Sequence, residues 1–175
     1  MNMSFKQLSL VCVAMLLVPA TAQAQFSRDT SSPIDATADD IVNSAGVTIL
    51  SGQVDVRQGQ TRVLADTMKI YGGSAGQAAA TEAITRIEAI GNFYYITPEQ
   101  EVRGNQGIYT RETDTFTVTG DVILLQGENV VSGDSLLYNL TTQDARVVGS
   151  CKGRRCGSNG RVKILINNTG IQSRS

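Results

Sequence analysis

The chain has 175 residues, a length that suits one domain, and a formal net charge of −1 with no histidine. Without His, general acid–base or nucleophilic chemistry would fall to a carboxylate pair or an activated Ser or Thr. The expectation is therefore a non-enzyme with no catalytic residues, no cofactor and no metal site. The near-neutral total conceals an uneven spread: positions 25–150 carry eight basic and sixteen acidic residues, whereas positions 151–175 carry six basic residues and no acid. That basic end is either a solvated terminus or a contact for an anionic partner.

Taken from the start, residues 1–24 read as a cleavable secretory signal peptide. Lys6 precedes an apolar run from Leu8 to Val18, and Ala22-Gln23-Ala24 forms an A-x-A cleavage site. The run is short for a membrane span. Cleavage predicts an exported chain, flexible over 25–32, with a β domain at 33–167 and a disordered tail at 168–175. Export leaves Cys151 and Cys156, a close pair that favours one disulfide in an oxidising compartment. Closing so short a loop contributes about 2 kcal/mol in the chain-entropy model. The competing reading, a C-x4-C metal site, lacks further ligands.

Pro33 to Asp40 alternates apolar and polar, as in a half-buried edge strand, and Asn43 to Gly46 reads as a turn. Strands follow at Val47–Val56, Arg62–Tyr71, Ile84–Thr97, Glu101–Tyr109, Thr115–Leu125 and Val130–Asn139. The Gly- and Ala-rich stretch 72–83 reads as an inserted loop. A last unit begins at Ala145–Ser150, is interrupted by the Cys151–Gly160 loop, and ends in a strand at Arg161–Asn167. No window has a persuasive helical period, so the fold is expected to be all-β.

These strands repeat. Gly52, Gly91 and Gly120 each stand 14 residues before Asp66, Asn105 and Asp134, and the steps from Gly91 to Gly120 to Gly149 are 29 residues each. The return strands share a frame as well: Val63, Ala65-Asp66, Met68, Ile70; Val102, Gly104-Asn105, Gly107, Tyr109; and Val131, Gly133-Asp134, Leu136, Tyr138. Equal spacings mark stacked supersecondary units that bury their apolar faces against one another. Glycine inside a strand is costly unless it permits a bend or bulge, so these glycines are expected to be kinks. The Asp and Asn positions are expected at corners, or else to form a functional carboxylate row. Ala38-Asp39 echoes Ala65-Asp66 and points to a truncated first unit.

One phase of each strand is apolar: Leu50, Val54 and Val56; Met68; Ile87, Ala89, Phe93 and Tyr95; Tyr109; Phe116, Val118, Val122 and Leu124; Leu136 and Tyr138. Ser51, Gln53 and Asp55 lie in the opposite, wet phase. Two rows of such strands facing each other enclose an apolar interior. It is either a filled core or a trough open to an apolar ligand, in which each buried methylene would contribute about 0.8 kcal/mol.

The signal-like start, the Pro33-Ile34 strand, Gly52-Gln53-Val54-Asp55-Val56-Arg57-Gln58-Gly59, Ala65-Asp66, Gly120-Asp121-Val122 and the closing Arg161-Val162 strand resemble the LptA family of lipopolysaccharide-transport bridge proteins, in the OstA-like superfamily. That resemblance implies a twisted, open, V-shaped antiparallel β-jellyroll in the periplasm, whose trough holds lipid A acyl chains. It adds Ile34 and Ala36 to the ligand-binding set, beside Phe93 and Tyr109. It also implies lipopolysaccharide handed from an inner-membrane jellyroll partner at the N-terminal edge (Ile34, Ala36, Ala38) to an outer-membrane translocon jellyroll at the C-terminal edge (Val162, Ile164, Leu165, Ile166). Head-to-tail self-association is a further implied partner, and nucleic acid is not one. The 72–83 insertion and the Cys151–Cys156 loop depart from the family pattern and bear on the C-terminal joint. A dry exported β scaffold and the membrane-anchored member of the same transport system are the alternatives.

Overall fold

The computed structural model describes residues 32–72, 84–142, 144–157 and 160–167. The expected signal peptide, most of the 25–32 segment, most of the 72–83 insertion and the 168–175 tail lie outside the described residues. Ten strands run through the rest: β1 (Ile34–Thr37), β2 (Asp40–Ser44), β3 (Val47–Gln58), β4 (Thr61–Tyr71), β5 (Arg86–Ile96), β6 (Gln100–Thr110), β7 (Thr115–Gln126), β8 (Asn129–Asn139), β9 (Ala145–Val148) and β10 (Lys163–Leu165). They form a single sheet in the order β1-β3-β4-β5-β6-β7-β8-β10, with β2 also paired to β3 and β9 to β8. Every pairing is antiparallel. The all-β expectation holds, and the sheet is open, with β1 and β10 at its two ends.

Each long strand is broken once, near its middle. The β3–β4 ladder shifts register between Ser51 and Val54, β5–β6 between Ile90 and Phe93, and β7–β8 between Thr119 and Val122. At each shift, two successive residues have positive φ: Gly52 and Gln53, Gly91 and Asn92, Gly120 and Asp121. Such a pair swings the strand out of its ladder, and the first position has room for no side chain. A Cβ at Gly91 would run into the Asp66 carboxylate, one at Gly120 into the Asn105 amide, and one at Gly52 into the Asp39 carboxylate. Asn92 Nδ2 also donates to both Asp66 oxygens, at 3.0 and 2.9 Å. The Asp or Asn of each return strand thus packs on the glycine bulge of the strand that follows it, a contact that recurs along the sheet.

The bulges align into a crease dividing the sheet into two halves. Residues before the crease on β3, β5 and β7 pair only with residues after it on β4, β6 and β8, and the reverse. At the edges the crease cuts the strands apart. β1 pairs with one half of β3 and β2 with the other, split at Ala38-Asp39; β10 and β9 divide β8 in the same way. The expected single strand Pro33–Asp40 is therefore two short strands, and Asn43 and Ser44 belong to β2, leaving the turn to Ala45 and Gly46. Gly149 departs from its counterparts. It ends β9 without a positive φ and packs on the backbone of Gly160 and Arg161.

Folding about the crease brings the two inner faces together. Phe93 and Tyr95, beyond the crease on β5, meet Phe116, before the crease on β7, with ring centroids 5.6 and 5.5 Å apart. Gly107 has no side chain where the Phe93 ring crosses to it. The result is a V in section, with strands perpendicular to its long axis.

Candidate functional site

The inner faces of the V carry the site. Beside the crease, Val102, Val118 and Leu136 are fully buried, with Val54, Phe93 and Val122 1% exposed. Leu50, Met68, Leu124 and Tyr138 belong to the same buried cluster, and Val56, Ile87, Tyr95 and Phe116 pack partly buried against it. Tyr109, half-buried, stands opposite Phe116 in register. All these expected residues therefore gather on one inner surface. Ile34 and Ala36 lie exposed on β1, opposite Gln58 and Val56 in register and so on the same face as Val56.

Residues flanking the crease form a packed apex, joined by Tyr138 near the end of β8, whereas Val56, Val63, Ile70, Ile87, Tyr95, Phe116 and Val131 toward the mouth of the V are only partly buried. Tyr109 is tied at the strand end by its hydroxyl, which donates to Asp114 Oδ1 at 3.2 Å, and on the outer face the Tyr71 hydroxyl donates to Glu88 Oε2 at 3.3 Å.

Strand phase left Val63, Ala65, Val102 and Val131 out of the interior. On the return strands the corner residue shifts the inward phase, so that inward positions step by two and then by three: 63, 65, 68, 70 on β4 and 102, 104, 107, 109 on β6. That 2-3-2 frame was the available signal; strict alternation runs straight through it.

The outer face is wet and ion-paired. Arg62 Nη2 and Arg57 Nη2 reach the same Asp55 oxygen at 2.7 and 2.9 Å. Hydrogen bonds from Arg62 and then Arg57 hold the Asp55 carboxyl well below the usual carboxylate range, and the shared carboxylate raises both guanidinium groups. The cluster fastens the β3–β4 hairpin beside β1.

The ends differ in surface. At the C-terminal edge Ile164, Leu165 and Ile166 are about two-thirds exposed and Val162 is exposed. At the N-terminal edge Ile34 is exposed, Ala38 packs against the core, and β2 adds exposed Ile41 and Val42, which the sequence reading had not singled out. Cys151 and Cys156 are joined in a disulfide that closes the loop between β9 and β10, and Cys151 N–H donates to Gly160 O at 2.8 Å.

Comparison with known proteins places this geometry. Over 133 residues, 74% of this chain and 71% of the relative, the sequence is 28% identical to an uncharacterized protein of Rhizobium meliloti (strain 1021). The fold resembles the crystal structure of LptH, the LptA-homologous periplasmic component of the lipopolysaccharide transport device of Pseudomonas aeruginosa, with a TM-score of 0.61, 20% identity, and coverage of 79% of this chain and 98% of that one. The family model described as LptA/(LptD N-terminal domain) LPS transport protein matches residues 33–144, from the start of β1 to the end of the β8 turn. With that match over more than half its length, the chain belongs to the LptA/LptD N-terminal family of lipopolysaccharide-transport proteins.

Proposed function

We propose that this protein is a periplasmic bridge that binds lipopolysaccharide by its acyl chains and passes it from an inner-membrane extraction complex to an outer-membrane translocon. The observation that carries the reading is the partly buried apolar mouth above a packed apex. It runs strand after strand from Val56 and Ile70 through Ile87 and Tyr95 to Phe116 and Val131. An acyl chain laid in it would cover side chains that now face water, at about 0.8 kcal/mol per buried methylene. The open sheet supplies the joints: β1 and β10 each have one ladder side unused among the described residues, and strand addition at such edges is a general mode of docking.

Equilibrium binding of lipopolysaccharide by Tyr95→Asp and Tyr94→Asp tests this. The two residues are adjacent and half-buried, and point to opposite faces. With both variants folded by circular dichroism, Tyr95→Asp is expected to weaken binding at least about ten-fold, and Tyr94→Asp to leave it near the parent value. Equal effects contradict the trough. The complete burial of Val102, Val118 and Leu136 favours the second reading, a dry scaffold, for which the parent protein binds no lipid at all.

A further inference from the structure

In the half of the sheet that carries β1 and β10, the inner face is ordered in rows parallel to the crease. Cross-strand partners set an apolar row of Val56, Val63, Tyr95, Val102, Leu124 and Val131. Two residues further out on each strand, toward the hairpin turns, a second row stands on the same face: Gln58, Thr61, Thr97, Gln100, Gln126 and Asn129. This lip of the V is made of side-chain amides and hydroxyls and holds no charged group. The opposite half instead carries Ile70, Ile87 and Phe116 near its strand ends.

Amides and hydroxyls flanking turns are ordinary where they meet water. Two of these do not. Thr97 and Gln100 are 7% and 4% exposed. Thr97 Oγ1 accepts from the Gln100 backbone N–H at 3.2 Å, and Gln100 Oε1 accepts from Gln126 Nε2 at 3.1 Å. Gln100 Nε2 is enclosed as well, yet it has no hydrogen-bond partner among the described residues. A buried donor left unsatisfied is costly, and native proteins keep few of them.

We infer that Gln100 Nε2 is the donor for the linkage carbonyl of a bound acyl chain, the ester or amide oxygen through which the chain joins its sugar. The inference rests on the lipopolysaccharide reading above and says which polar atom of the lipid this lip takes. Position supports it. The amide row lies about 6 to 7 Å beyond the apolar one, where a chain laid against Tyr95, Val102 and Leu124 reaches its first polar atom. Charge supports it too. A phosphate would call for Arg or Lys, and the row has neither, whereas a carbonyl is neutral and accepts only, matching a single neutral donor. The nitrogen lies beneath the surface beside half-buried Gln126, whose side chain turns aside as the acyl chain enters.

The test compares two ligands in NMR titrations of the 15N-labelled protein: the octanoyl ester of glucose and the octyl ether at the same glucose oxygen, which differ only in the carbonyl. The ester is expected to bind about ten-fold more tightly and to shift the Gln100 side-chain amide protons downfield. The ether should bind and leave them in place. Gln100→Leu keeps the volume and removes the donor. It should bring the ester midpoint to that of the ether while holding the ether midpoint within about two-fold of the parent value, a pattern that misfolding, which weakens both ligands, does not produce. Equal midpoints in the parent, or a preference for the ester that persists in Gln100→Leu, overturns the assignment and leaves the trough reading standing. If the parent binds neither ligand, the trough reading fails and the linkage assignment fails with it.

Discussion

At Gly120 two demands meet in one residue. Its φ of +80° lies in the left-handed region, and the Asn105 side chain occupies the place a Cβ would take. Gly120→Ala is therefore expected to cost about 2 kcal/mol or more, as loss of stability in urea unfolding. Asn105→Ala in the same chain should return only the steric share, because the backbone strain stays. Full recovery would mean that φ is not the constraint. Asp55 gives a second residue-scale outcome. Its folded pKa is depressed by Arg62 and Arg57, so its contribution is present above the unfolded value near 3.9 and is lost as pH falls below it. The parent should lose melting temperature between about pH 4 and pH 2 more steeply than Asp55→Asn, whose side chain does not titrate; identical slopes would remove Asp55 from the acid response. Because both arginines are largely exposed, the difference should be modest and should shrink in salt.

At the scale of the element, the repeat was legible because one contact recurs. Asp66 packs on Gly91 and Asn105 on Gly120, from the return strand of one hairpin to the bulge of the next, while the 14-residue interval from Gly52 to Asp66 and Gly91 to Asn105 is the span from bulge to corner within one hairpin. The edge strands were less so. Asp39 does for Gly52 what Asp66 does for Gly91, yet no second half-strand of matching length surrounds it, so β1 and β2 read as one strand. β10 pairs with β8 at only three positions, Lys163 to Leu165, and its side chains are exposed. A proline at Leu165 should therefore cost little global stability, yet should weaken docking of an outer-membrane jellyroll partner while leaving lipid binding intact. Survival of both activities would show that this strand is not the joint. Breaking the Cys151–Cys156 link by Ser substitution should lower stability by about 2 kcal/mol, read by chemical denaturation under non-reducing conditions.

Over the whole molecule, one open sheet folded on a crease yields a long apolar interior without closing a barrel, and so leaves two ends unpaired among the described residues. The gathering of Leu50, Val54, Met68, Phe93, Val118, Val122, Leu136 and Tyr138 on one face was readable from strand phase. Their division into apex and mouth was not. It depends on distance from the crease and on contacts such as Phe93 with Phe116 that cross between the halves, neither of which alternation encodes. That division places Phe93 deep in the apex and Tyr95 at the lip. The central claim is accordingly tested most directly by photocrosslinking in membrane extract, with a photoreactive phenylalanine at Tyr95 and, as control, at its outward neighbour Tyr94. Label carried to lipopolysaccharide from position 95 and not from 94 is the predicted result; equal labelling from both, or none from either with the protein folded, would contradict a lipid-holding trough.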